Sequence, residues 1–276
     1  ADVQKAVNPA ERVYYPVADN KEPIVAIGTD KEVDDPSIEV YFKQDATPDS
    51  EKNNVGYLAS QYMTSMITSM LNARLSELTQ SANPPFNRAY SSYGNFFVAK
   101  TKEALNLSAS SKANGIEEAL KVLLQEAERA RRFGFTESEY ARARANYLQR
   151  LESAYNEREK TKHGSYVREY VRNFLDAEPI PGIETEYAMM NQLAPNLPVQ
   201  AINMAIQQLV PDSNQVVIIA GPEKEGLKYP QKEEVIALLK GMKSLDLQPY
   251  VDKVSDEPLM KEAPKGGKIV SEKEGE

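Results

Sequence analysis

The sequence predicts an α+β fold, with helices packed on one face of a mainly antiparallel sheet. Three observations carry that reading. Strand-like runs lie before and after a long block of helical periodicity rather than alternating with it. The strand segments either alternate, as in Leu105-Asn106-Leu107, or run continuously apolar, as in Val216-Val217-Ile218-Ile219. The regular strand–helix alternation of a doubly wound parallel sheet is absent.

Residues 1–23 are polar and punctuated by Pro9, Pro16 and Pro23, so they read as a lead-in linker. The runs at Ile24–Gly28 and Ile38–Phe42 suit strands, with the turn-like Asp34-Asp35-Pro36 between them. From about Glu51 to Gln80, apolar residues recur every three or four positions at Leu58, Tyr62, Met66, Met70, Leu71, Leu75 and Leu78. That spacing predicts a helix with a wide buried stripe, in which Met63, Met66 and Met70 are core filler. Asn83-Pro84-Pro85 ends it, and residues 86–110 read as two or three strands.

Gly115 introduces a helix through about Phe133. Thr136 followed by Glu139 is a capping-box pattern that opens the longest helical segment, to about Leu175, with Gly164 as a candidate break. Its stripe runs from Tyr140, Tyr147, Leu151 and Tyr155 on to Tyr166, Tyr170 and Phe174. Two shorter helices, about 183–193 and 198–209, precede the apolar run at 214–220, whose composition suits a central buried strand. A last helix is expected near 233–243. The domain is therefore placed at 24–250. Residues 251–276, charged and rich in Pro and Gly from about Ser255, read as a linker toward a following domain.

Composition narrows the function classes. With 41% hydrophobic and 27% charged residues over 276 positions, the chain suits soluble globular structure rather than disorder. There is no cysteine, which removes disulfides, thiolate metal sites and cysteine nucleophiles together. A net charge of −8 opposes non-specific binding to nucleic acid or anionic membrane. No apolar run approaches the roughly 20 residues of a membrane span. The N-terminal residues have neither the basic start nor the apolar core of a signal peptide, and no initiating methionine, so the chain reads as a piece of a longer one.

His163 is the sole histidine, so a two-histidine zinc motif cannot be built and no catalytic or metal residue is assigned. Glu159, four positions earlier, is expected to form a surface pair with it on one helix. No phosphate-cradling glycine loop and no nucleophile-elbow serine is present. The arginines at 129, 131, 132, 142, 144 and 150 interleave with glutamates and read as a solvated helical face. Arg74 and Tyr90 stand out as donors that together could hold a peptide carbonyl. The competing reading has Arg74 capping its own helix or pairing with Glu77.

Several pieces in order resemble the non-catalytic domains of insulinase/pitrilysin-type peptidases, the inverted zincins of the mitochondrial processing peptidase kind. They are Met70-Leu-Asn-Ala-Arg-Leu-Ser-Glu-Leu78 with Asn83-Pro-Pro-Phe86, Asp30-Lys-Glu32, Arg142-Ala-Arg144, Tyr170-Val-Arg-Asn-Phe-Leu175, Pro181-Gly-Ile-Glu184 and Gly221-Pro-Glu-Lys-Glu-Gly226. Together they span about residues 9–250. The resemblance implies a later copy of the family's repeated α+β unit, the second domain, since the His-x-x-Glu-His motif of the first copy is missing. It implies zinc in a separate catalytic domain, no cofactor in this one, and a peptide-enclosing chamber of which this domain forms a wall. Other domains of the same chain and peptide substrates are the implied partners, and a periplasmic address is implied for a bacterial member. It also matches Arg74, and more loosely Tyr90, to a pair that contacts substrate. The alternative from a different class is a stand-alone peptide- or protein-binding module.

Overall fold

The computed structural model describes residues 4, 7–10, 13–253, 260, 266–268 and 271–272. Five strands, β1 (Ile24–Asp30), β2 (Ser37–Asp45), β3 (Arg88–Asn95), β4 (Lys102–Ser110) and β5 (Gln215–Pro222), form one sheet in the order β1-β5-β2-β4-β3. Three of the strand pairings are antiparallel. The fourth, β1 with β5, is parallel, because the chain returns to the sheet only after its helical block.

Alternation in β2 and β4 decides which face is buried. Val40 lies opposite Leu107 on one side and Val217 on the other, so three apolar side chains form a row across the sheet. The next row carries Tyr41, Asn106 and Val216 and points to the other face. The apolar run of β5 takes an interior position between β1 and β2, as its composition predicts.

The helices are α1 (Val55–Thr79), α2 (Ile116–Phe133), α3 (Glu137–Asn156), α4 (His163–Asp176), α5 (Ile183–Asn196), α6 (Val199–Leu209) and α7 (Lys232–Gly241). Helix α1 starts four residues later than its periodicity suggests. Pro48 opens a single 3-10 turn at Asp49–Glu51, and Asn54 then caps α1 by accepting from the Tyr57 N–H at 2.9 Å. Tyr62, Met66, Met70, Leu71 and Leu75 are buried, in the same core as Leu120, Leu123 and Ala127 of α2. The methionine reading holds for Met66 and Met70. Helix α1 packs on β3, α2 and α6 on the strands beside it, and α3 on α1 and α5.

Three sequence expectations change. The long helical segment is two helices, and the break lies at residues 157–162 rather than at Gly164, which sits inside α4. Glu159 therefore occupies a 3-10 turn while His163 begins α4, so the two do not share a helical face. The arginine-rich face of α2 is covered rather than solvated. Arg132 donates to the carbonyl oxygens of Met242 and Leu245, and Arg129 to that of Gln248, while their partners Glu126 and Glu128 are buried.

Both flanks of the domain are tied to it. Val17 N–H donates to Thr101 Oγ1 at 3.2 Å, Lys43 Nζ to the Ala18 carbonyl at 2.7 Å, and Asp19 pairs with Lys102 at 2.6 Å. At the other end Leu247 is buried, and Asp252 meets Arg142 at 2.8 Å. The stretch from Ser255 that reads as a linker lies mostly outside the described residues.

Candidate functional site: the Arg74 clamp and a polar cleft

Arg74 leaves α1 toward the start of α3. Its Nε donates to Glu139 Oε1 at 2.7 Å and its Nη2 to Glu139 Oε2 at 2.9 Å, with a further bond from Nη2 to the Gly134 carbonyl at 3.0 Å. Both side chains are buried. The guanidinium lies 4.8 Å from the ring centre of Phe135 and 4.3 Å from that of Tyr250, so aromatic faces take the place of water around the charge. Glu139 also closes the capping box of α3, accepting from Thr136 N–H at 2.8 Å while Thr136 Oγ1 accepts from Glu139 N–H at 3.2 Å. The partner of Arg74 is thus Glu139. Glu77, the nearer acid in sequence, accepts instead from the Tyr250 hydroxyl.

The turn that presents Gly134 is itself fixed. Gly134 has φ +71°, and a Cβ there would fall 2.3 Å from Asn203 Cγ. The Asn203 side chain accepts from Phe135 N–H at 2.8 Å and donates to the Phe135 carbonyl at 3.1 Å, bridging α6 to this turn. One assembly therefore joins α1, α3, α6 and a C-terminal strap, residues 245–253.

Tyr90 does not join Arg74. Its neighbour Ser91 faces α1, its backbone N–H donating to Asn72 Oδ1 at 2.6 Å, so Tyr90 projects from the opposite face of β3. There it is half exposed, beside Tyr41, Phe97 and Asn106 in a shallow hollow of about 250 Å³. Burial, reinforced by the neighbouring Glu39, holds the Tyr41 hydroxyl well above its ordinary pKa.

A larger cleft of about 830 Å³ opens between α1, the β3–β4 edge and residues of α4 and α5. Tyr57 donates to Glu178 at 2.7 Å and Tyr93 to Glu103 at 2.9 Å along its walls. Burial, with Glu186 close by, pushes the Tyr147 hydroxyl up to about 12. Burial and then the nearby Glu169 raise the Glu186 carboxyl above its ordinary value. From α4 the lining residues are Glu169, Arg172 and Asp176. Tyr166, Val167, Tyr170 and Val171 of the same helix are exposed. Helix α4 thus turns its polar side toward the domain and its apolar stripe outward, the reverse of the usual arrangement. By periodicity alone that stripe reads as a continuation of the buried one on α3. The break at 157–162 is what reorients it.

Zinc does not fit the residues present. His163 is exposed at the first position of α4, cysteine is absent, and the described residues contain no group of three or more histidines or acids placed to hold a metal ion.

Fold and site together define an α+β unit in which the described side chains form no zinc centre. The chain belongs to the family described as the peptidase M16 inactive domain, whose profile matches residues 1–147. It is 23% identical over 274 residues to a protein of Arabidopsis thaliana described as "Zinc protease PQQL-like", covering 99% of this chain and 25% of that protein's length. The first half of the periplasmic protease PqqL from Escherichia coli superposes with a TM-score of 0.78 at 19% identity, covering 89% of this chain and 52% of that one. The longer structure of the same protease gives 0.80, covering 94% and 28%. At that identity the superpositions show the fold, which is the α+β architecture read from the sequence.

Proposed function

We propose that this chain works as a non-catalytic domain of a zinc metalloendopeptidase, walling part of a chamber that encloses peptides while a separate domain holds the zinc. The observation that carries the reading is the pairing of an inactive-domain family match with a donor set of one exposed histidine and no cysteine. The lengths agree with it, since the chain spans about a quarter of the plant relative and about half of the solved PqqL half. A periplasmic address follows by analogy with the Escherichia coli protease.

The two contact candidates take different parts in this proposal. Arg74 holds α1 to α3 from inside the domain, and its guanidinium is committed to Glu139. Tyr90, on the open face of the sheet, keeps a side chain that a peptide can touch. Substrate contact by the arginine–tyrosine pair acting together has no support from their placement on opposite sides of β3.

The test is zinc content and peptide cleavage by the chain alone. The expected result is neither stoichiometric zinc nor turnover, because the sequence has one histidine and no cysteine and the described residues place no three histidine or acid groups where they could hold a metal ion. Tight zinc binding lost in a His163→Ala variant would contradict it.

A further inference from the structure

Helix α4 has little of its own to keep it folded. Its 14 residues include none that is buried, and no side chain caps its N-terminus. Its own first turn has no acid and its last turn no base, and a cation on its C-terminal carbonyl, Lys52 Nζ at 2.6 Å from Asp176 O, comes from outside the helix. Among the described residues no other helix or strand packs closely on it. A helix of this length is marginal in water when nothing covers it. Yet Tyr166, Val167, Tyr170 and Val171 form one stripe at spacings of three and four and are 38%, 56%, 58% and 49% exposed. Exposed apolar stripes of that kind mark contact surfaces.

We infer that the outward face of α4 is the docking surface for another domain of the same protease, one presenting an apolar face and reached from the Tyr15 side of this chain. The inference rests on the reading of this chain as one unit of a larger enzyme. The path of the backbone selects the occupant. Thr101 Oγ1 bonds both the Tyr15 carbonyl and Val17 N–H, and the adjacent Lys100 pairs with Asp176, the last residue of α4. The chain at Tyr15 therefore runs beside the C-terminal end of the stripe, so a domain attached through residues 1–14 enters on the side of α4. Tyr15, 80% exposed, and Val98, 93% exposed and two positions before Lys100, are further apolar side chains open near these contacts. Size agrees as well. The solved PqqL half is matched over 52% of its length, which leaves a remainder comparable to this whole unit. The inward side of α4, with Glu169, Arg172 and Asp176, stays on the polar cleft, so docking on the outer side leaves that cleft open.

Amide hydrogen exchange across residues 166–175 tests this, measured on the 276-residue chain and on the longer protease that contains it. The expected result is exchange slower by at least about tenfold in the longer protease. A Val167→Lys, Val171→Lys double variant should abolish that gain while leaving the melting temperature of the 276-residue chain unchanged, since both side chains face solvent there. Equal exchange rates in both forms, in a protease that still cleaves peptides, would overturn the inference and leave the supporting role intact. Protection of α4 in the 276-residue chain that rises with its concentration would assign the face to a second copy and overturn it too. Failure of the supporting role itself shows differently, as unchanged cleavage when this domain is deleted.

Discussion

Arg74 and Glu139, 65 positions apart in sequence, meet in a buried two-pronged pair at 2.7 and 2.9 Å that ties the first long helix to the capping box of α3. The pair also positions the C-terminal strap, since Tyr250 lies on the other side of the guanidinium. One buried charge thus joins three segments distant in sequence.

Replacing Arg74 with alanine should lower stability by about 3–5 kcal/mol, because Glu139 is left charged and buried without its partner. Replacing both residues with apolar ones of similar volume, as in Arg74→Met with Glu139→Leu, should cost less than the single change. Urea unfolding of the three chains checks this. A single variant as stable as wild type would mean that the pair does not form.

Gly134→Ala should destabilise as strongly as a core mutation despite adding one methyl group. The left-handed φ of +71° and the 2.3 Å approach to Asn203 Cγ both oppose a side chain. Backbone strain of this kind costs about 1–3 kcal/mol before the clash is counted. A thermal melt of Gly134→Ala unchanged from wild type would contradict the turn geometry.

The domain limit makes a third test. A chain ending at Ser244 loses Leu247, Tyr250 and Asp252, and with them the acceptors for Arg129 and Arg142. It should melt lower than a chain ending at Lys253, which keeps all of these contacts. Equal melting temperatures would show that the strap adds nothing to stability.

Glu186 gives a pH dependence with a definite sign. Its folded-state pKa is raised above the ordinary value of 4.5, chiefly by burial, so the native state binds the proton more tightly than the unfolded chain. Its contribution is therefore fully present below 4.5 and is lost as pH rises through the raised folded value. Glu186→Gln should flatten the fall in stability across that window, read as denaturation midpoints at a series of pH values. An unchanged pH profile would show that the carboxyl is not desolvated.

Much of the fold was legible in the sequence because its signals are local. The Thr136–Glu139 capping box, the α1 stripe and the Val216–Ile219 run each encode an element within a few residues, and each element is present, although α1 starts later and α3 ends earlier than the periodicity suggests. What was not legible depends on partners far along the chain. Nothing local marks Glu139 rather than Glu77 as the partner of Arg74, since the choice follows from how α1 and α3 cross. The covered arginine face of α2 escaped notice for the same reason, because its acceptors are main-chain carbonyls at 242, 245 and 248. The outward turn of α4 was hidden because periodicity reports that a stripe exists and not which way it points. Of the candidate site, the chemistry excluded by composition was readable and the separation of Arg74 from Tyr90 was not. The period-two alternation that puts Ser91 toward α1 and Tyr90 away from it becomes decisive only once β3 is known to pack on that helix.

The proposed role is support of proteolysis carried out by a separate domain of a longer protease. The most direct measurement is kcat/KM for a peptide, compared between the whole protease and the same protease lacking residues 24–253. The account predicts a loss of more than about tenfold on deletion, with the zinc still bound to the remaining chain. Undiminished kcat/KM in the deleted enzyme would contradict it.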